Sequence, residues 1–246
     1  MDRFSRLEFG DTRPKGPLDA GLQIRDADFF VQEARRYWLA GDFELALRAF
    51  SRALEQDRTR LEGWAGQVLM LIELGEYKEA EVWAARALDL FPDHPDLLAL
   101  RAIALARDAK LKQALVCSDK AIAAEKTTSW AWLARAEVFM HKSQAVVTGC
   151  ISKAIAIAAG DLPIIRLYAG MILRRIEAYV EASKYLQEVV TAVPAAALAW
   201  YELAICQQAL GLPQAQVSLQ QALRINPHFA PAKKAMSRLK RGGRLS

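Results

Sequence analysis

The sequence predicts an all-α protein, an α-solenoid of about six helix-turn-helix units followed by a C-terminal capping helix. Three observations predict it. First, Ala34, Val68, Ala102, Ala136, Gly170 and Ala204 stand 34 residues apart, and four residues before them stand Phe30, Trp64, Leu98, Trp132, Arg166 and Trp200. Five of those six leading residues are large and apolar. Second, a turn column follows each small residue by seven positions: Gly41, Gly75, Ala109, Ser143, Glu177 and Gly211. Third, a second apolar pattern begins after each turn, with Ala46, Ala80, Ala114, Ala182 and Ala215, then Ala53, Ala87, Ala121, Ala154, Val189 and Ala222. A fixed period of this length is the mark of stacked supersecondary units.

Each unit reads as two short antiparallel helices. In the first, 27–60, Phe30, Ala34 and Tyr37 share one helical face. Gly41-Asp42 interrupts the helix, because glycine costs about 1 kcal/mol relative to alanine inside one. Ala46, Phe50 and Ala53 form the facing surface of the return helix, and small residues against aromatics let two backbones approach without voids. The second unit, 61–94, repeats this with Trp64, Val68 and Leu71 against Ala80, Ala84 and Ala87, and Pro92 closes it. The third is 95–128. The fourth, 129–162, departs from the pattern: the turn His141-Lys142-Ser143-Gln144 lacks glycine and is one residue short. Its return helix is weakened by Val146, Val147, Thr148 and Gly149. The fifth, 163–196, carries Arg166 in the aromatic column. The sixth, 197–229, has a short turn, Gly211-Leu212-Pro213. Units four and five are expected to be the least regular. Residues 1–25, with Gly10, Pro14, Gly16 and Pro17, read as a flexible arm. The stretch 230–246 reads as a capping helix and basic tail, since the last repeat needs a polar outer face.

This aromatic-small-glycine-alanine-proline pattern resembles the tetratricopeptide repeat over roughly four-fifths of the chain. The resemblance implies a solenoid whose first helix in each hairpin lines a concave face, used to bind proteins. On that implication the lining columns are Arg35, Leu69, Ile103, Glu137, Met171 and Ile205, and Val31, Ala65, Ala99, Leu133, Leu167 and Tyr201. Trp38 and Trp130 stand outside the repeat columns and are expected to face the same groove. Trp83 is expected to pack between units. A contiguous exposed apolar strip marks a binding surface, and this one suits an apolar or amphipathic helical peptide. Family members that hold acidic chaperone tails use a Lys/Asn/Arg clamp. Val31, Ala65 and Leu69 stand where Lys and Asn would be wanted, which argues against that role.

Nothing in the sequence composes a catalytic centre. The phosphate-binding, dinucleotide-binding, zinc-protease and nucleophile-elbow motifs are all missing, so no enzyme activity and no cofactor are expected. His94 and His228 adjoin prolines, and His141 ends a helix. Cys117, Cys150 and Cys206 fall within predicted helices and read as small apolar packing residues. Three cysteines with no metal spacing fit a reducing, cytoplasmic setting. The opening residues lack the apolar core of a secretory signal, and no apolar run approaches the roughly 18 residues needed to span a bilayer.

The 246 residues carry 33 Lys plus Arg against 28 Asp plus Glu, a formal charge of +5. Lys233, Lys234, Arg238, Lys240, Arg241 and Arg244 account for it, since no acid follows Ala230. The repeat body is therefore near neutral. The expected function is a non-catalytic interaction scaffold of bacterial style. The alternatives are an accessory subunit of a secretion, pilus or envelope assembly, and nucleic-acid or anionic-membrane contact through the basic tail. The apolar columns offer no polar code for reading RNA bases. In the arm, Phe4, Leu7 and Phe9 are apolar residues in a polar segment, and they form a candidate docking motif for an apolar surface.

Overall fold

The structure, a computed structural model, describes residues 25–158 and 160–241. Thirteen helices and no strands occur among them. They pair as α1 (Ala27–Ala40) with α2 (Phe43–Gln56), α3 (Leu61–Glu73) with α4 (Tyr77–Leu90), and α5 (Pro95–Arg107) with α6 (Leu111–Ala123). The second half continues with α7 (Ser129–Val138) and α8 (Gln144–Ala156), α9 (Leu162–Arg175) and α10 (Tyr179–Ala192), and α11 (Ala197–Ala209) and α12 (Ala215–Ile225). A last helix, α13 (Ala230–Lys240), lies on α12.

Some helix starts carry side-chain caps. The Asp26 carboxylate accepts from the Phe29 N–H at 2.8 Å, and the Thr128 hydroxyl accepts from the Ala131 N–H at 3.2 Å. Both satisfy donors that the first turn of a helix leaves free. Inside each hairpin the alanine columns are fully buried: Ala34, Ala102, Ala136 and Ala204 face Ala46, Ala80, Ala114 and Ala182 in one continuous core. Trp64 and Trp200 of the signature column are anchored as well as packed. Trp64 Nε1 donates to the Arg58 carbonyl at 2.9 Å, and Trp200 Nε1 donates to the Pro194 carbonyl at 3.0 Å. Trp83 is buried against Trp64, with ring centroids 5.7 Å apart. In the fifth unit Arg166 replaces the aromatic and pairs with Glu188 at 2.8 Å.

The turn column shares one backbone solution with one exception. Gly41, Gly75, Ala109, Glu177 and Gly211 all have positive φ, between 60° and 83°. The left-handed residue lets the Gly41 N–H reach the Trp38 carbonyl and the Asp42 N–H reach the Tyr37 carbonyl, both at 2.9 Å. Ser143 is the exception, in an extended conformation. There α7 stops after 10 residues, where the other inner helices run to 13 or 14. Helix α8 forms over its full length despite Val146, Val147, Thr148 and Gly149, because Val147, Cys150, Ile151 and Ala154 are buried. Packing outweighs the weak propensity there.

Ala109 and Glu177 are exposed and hold φ of 60° without glycine's freedom. A left-handed L-residue costs about 1–2 kcal/mol, partly offset by the greater unfolded-state entropy of glycine. Ala109→Gly and Glu177→Gly are each expected to stabilise the fold by about 0.5–1 kcal/mol. Urea unfolding of each variant reads this as a raised midpoint at unchanged slope.

The solenoid closes on itself. Each inner helix packs on the next through α1, α3, α5, α7, α9 and α11, and α11 packs back on α1. The closure has specific contacts. Asn226 Nδ2 donates to the Ala40 carbonyl at 2.9 Å and to Asp42 Oδ1 at 3.0 Å. The Phe229 ring fills the space beside Gly41, where any Cβ would lie 2.6 Å from it. Across the ring, Arg35 on α1 pairs with Asp161 before α9 at 3.1 Å.

Closure changes the concave face that the sequence leads one to expect. The lining columns are not an open strip. Ala99, Ile103, Leu133 and Leu167 are fully buried, and Val31, Leu69, Glu137, Met171 and Ile205 are nearly so. Arg35, Ala65, Trp130 and Tyr201 are half-buried, and none of these residues is exposed. The physical reason lies in the columns themselves: facing apolar side chains gain about 1.5–3 kcal/mol each on full burial. A charge at Ile103 would therefore strike the core rather than a groove surface.

Candidate functional site

Two features survive at the centre of the ring, a buried ionic network and an aromatic cleft beside it. The network is built from the C-terminal turns of successive inner helices. Arg107 on α5 donates to Glu73 on α3 at 3.3 Å, to Glu137 on α7 at 3.0 Å and to the Tyr168 hydroxyl on α9 at 2.9 Å. Arg175 on α9 also donates to Glu137. Next to it, Arg174 pairs with Glu202 on α11. Buried charges persist only when paired in this way.

The two carboxylates respond oppositely to this setting. Burial alone would raise the Glu137 pKa, but Arg175 and Arg107 bring it down to about 2. Glu73 ends above the usual carboxylate range, because burial outweighs the pull of Arg107 and Arg175. Burial works against the Arg107 charge, yet Tyr168, Glu137 and Glu73 hold its pKa well above the ordinary arginine value. Burial also pushes the Tyr168 hydroxyl well above its normal range. Glu137 and Arg107 thus stay ionised at neutral pH while Tyr168 stays protonated. The arrangement fixes four helices and poises no proton for transfer.

The cleft is about 120 Å³ and opens between α1, α3, α5, α7 and the start of α9. Trp38, Phe50, Leu69, Leu100 and Trp130 supply its apolar walls, with Ala65 and Gly66 keeping it open. Arg35, Glu62, Asp96 and Asp161 are its polar lining. Trp130 stands edge-on to Tyr168 at 5.1 Å, so the ionic network holds one wall of the cleft. Two lining residues carry unmet hydrogen-bonding capacity. The Trp38 Nε1–H and Asp96 Oδ1 are buried and have no partner among the described residues. Such atoms are costly to leave unpaired.

Five of the expected lining residues meet here: Arg35, Trp38, Ala65, Leu69 and Trp130. Tyr201 and Ile205 instead line a separate cleft of about 480 Å³ under α13, with Lys234 and Arg238. Lys233, Lys234, Lys240 and Arg241 are exposed on that helix and its end, and Arg238 is half-buried. Arg244, and the arm residues Phe4, Leu7 and Phe9, lie outside the described residues. Phe50, Asp96 and Asp161 were not legible as site residues, because they sit on a return helix and at helix starts. The network had a signal: Glu73, Arg107 and Arg175 occupy one repeat position, 34 and 68 residues apart.

The remaining reactive side chains are accounted for by packing. Cys117, Cys150 and Cys206 are free and buried, and burial raises each thiol, Cys206 to about 12. Thiols in that state are poor nucleophiles. His94 Nδ1 caps α5 by accepting from the Asp96 N–H at 3.3 Å. Among the described residues no cluster of His, Cys, Asp and Glu could hold a metal, and no helix is long and apolar enough to cross a membrane.

The fold is a helical-repeat solenoid of stacked hairpins. Residues 37–104 match the tetratricopeptide repeat family. No curated protein matches it in sequence. Among solved structures it is similar to the human IFIT1 dimer with PPP-AAAA, at 17% identity and a TM-score of 0.57, covering 90% of this chain and 65% of that one. It is similar to the APC/C hetero-tetramer Cut9-Hcn1, at 16% identity and a TM-score of 0.55, covering 87% of this chain and 43% of that one. It is also similar to PilW, a type IV pilus biogenesis factor, at 18% identity and a TM-score of 0.52, covering 85% and 98%. This chain therefore spans less than half of the matched Cut9-Hcn1 chain, and these likenesses concern the fold.

Proposed function

We propose that the protein is a non-catalytic interaction scaffold that takes an apolar or amphipathic peptide segment at the Trp38–Trp130 cleft. The observation that carries this reading is the cleft itself. It is the part of the concave columns left open by closure, and it pairs aromatic walls with an unpartnered donor and an unpartnered acceptor. A cavity of roughly 150 Å³ holds a benzene ring, so about 120 Å³ suits one anchoring side chain. The unpartnered Trp38 N–H and Asp96 Oδ1 lie buried in the residues that line it.

Ala65 is half-buried on the cleft wall, and a long side chain there would fill the space. Fluorescence anisotropy with labelled amphipathic peptides, each bearing one aromatic anchor, tests the reading. The expected result is saturable binding that Ala65→Arg weakens at least tenfold, with the melting temperature preserved. Binding that ignores Ala65→Arg, or no binding to any such peptide, would contradict it.

A further inference from the structure

We propose that the cleft under α13 is a second docking site, and that its occupant is an acidic segment of a partner protein with an apolar side chain beside its carboxylates. This site is separate from the Trp38–Trp130 cleft and does not depend on that cleft binding a peptide.

Size and charge carry the proposal. The cleft is about 480 Å³, within the range of ligand-holding clefts. Tyr201 of α11 makes one wall, its ring fixed edge-on against Phe229 at 5.3 Å. Lys234 and Arg238 of α13 line the cleft as well. They are four residues apart and share one helix face, a spacing at which like charges destabilise each other. No carboxylate lines the cleft among the described residues. Glu202, next to Tyr201 in the chain, is buried and committed to Arg174. The neighbouring residues add to the same sign, since Lys233, Lys240 and Arg241 are exposed and no acid follows Ala230 in the sequence. A carboxylate seated between Lys234 and Arg238 turns their repulsion into two charge-assisted contacts. An apolar side chain next to it covers Pro231, which is exposed, and Tyr201, which is half-buried.

The same observations favour a peptide over other polyanions. An anionic membrane holds a basic helix when apolar side chains on that helix enter the lipid. None of the large apolar residues exposed on this protein lies on α13. A nucleic acid is held by cations tracking its backbone along a groove. Here the cations that line the cleft sit within one turn of a single helix, and the repeat body is near neutral.

The test uses the full chain and fluorescence anisotropy with a short labelled peptide of alternating glutamate and leucine. Saturable binding that weakens as salt rises is expected. Lys234→Glu is expected to weaken it at least fivefold. Lys240→Glu makes the same change of charge at an exposed position outside the cleft, and is expected to change the affinity less than twofold. Both positions are exposed, so both variants are expected to melt as the wild type does. Replacing the leucines of the peptide by serine, or its glutamates by glutamine, is expected to cost at least fivefold. Equal losses from Lys234→Glu and Lys240→Glu would overturn the proposal, because the attraction would then be diffuse. Tighter binding to single-stranded oligothymidylate, or to vesicles containing phosphatidylserine, would also overturn it. So would binding of the glutamate–leucine peptide that Ala65→Arg abolishes and Lys234→Glu leaves intact, which places the peptide in the Trp38–Trp130 cleft and leaves that reading standing.

Discussion

Glu137→Gln is expected to destabilise the protein by about 3 kcal/mol at neutral pH, against almost no loss for Glu73→Gln. The two residues share Arg107, yet their energetics have opposite signs. Glu137 is held at about 2 from an unfolded value of 4.5, and each tenfold change in acidity corresponds to about 1.4 kcal/mol. Its folded pKa is lowered, so its contribution is complete above about pH 4.5 and is lost as the pH falls toward 2. Removing its charge also leaves Arg107 and Arg175 facing each other in a buried space, and a broken buried pair costs about 3–5 kcal/mol. Glu73 has a raised folded pKa. Its charged form is disfavoured by folding, so its contribution improves as the pH falls through that folded value. Glu73→Gln is therefore expected to leave the melting temperature unchanged or raise it near pH 7. Urea unfolding of both variants between pH 3 and 7 checks the signs. The Glu137→Gln deficit should shrink toward low pH, where wild type loses the same charge. A Glu137→Gln protein as stable as wild type at pH 7 would sink the account of the network.

Phe229→Ala is expected to cost at least about 3 kcal/mol, the usual range for truncating a buried phenylalanine, and to open the ring. Phe229 is only 3% exposed. Its ring packs edge-on to Tyr201 at 5.3 Å and fills the space beside Gly41. It therefore joins the last hairpin to the first. Truncation leaves the Asn226 bonds to Ala40 and Asp42 and the packing of α11 on α1 at that seam. Calorimetry should report a lowered transition, and small-angle scattering a larger radius of gyration. A compact fold has a radius near 17–18 Å at about this chain length. A Phe229→Ala protein with unchanged radius and stability would mean that the first and last hairpins do not depend on this contact.

The hairpins were legible in the sequence because the period of 34 fixes small against large residues at every unit. The turn column even anticipated its own exception, since Ser143 breaks both the residue pattern and the backbone conformation. Closure was not legible. Asn226, Phe229 and Gly41 each look like ordinary end-of-unit residues, and only three-dimensional curvature brings positions 41 and 229 together. For the same reason the concave columns read as an exposed strip. Periodicity shows which helix face a residue occupies, but not how deeply neighbouring helices cover it. Ile103 and Leu133 are covered, while Ala65 and Trp130 border the gap that remains. The ionic network could have been suspected. Glu73, Arg107 and Arg175 repeat in phase on an inner helix, and opposite charges at one repeat position meet when hairpins stack.

Closure of the ring depends on contact between the first and last hairpins. Asp42 and Asn226 touch across that seam at 3.0 Å. The most direct measurement is mild oxidation of the double variant Asp42→Cys, Asn226→Cys, read by mass and by mobility on a non-reducing gel. The native cysteines are buried and stay out of the reaction. A disulfide forms only when the two Cα atoms come within about 7 Å. The account predicts a rapid intramolecular cross-link in the monomer. A monomer that stays reduced, or cross-links only between molecules, would contradict it.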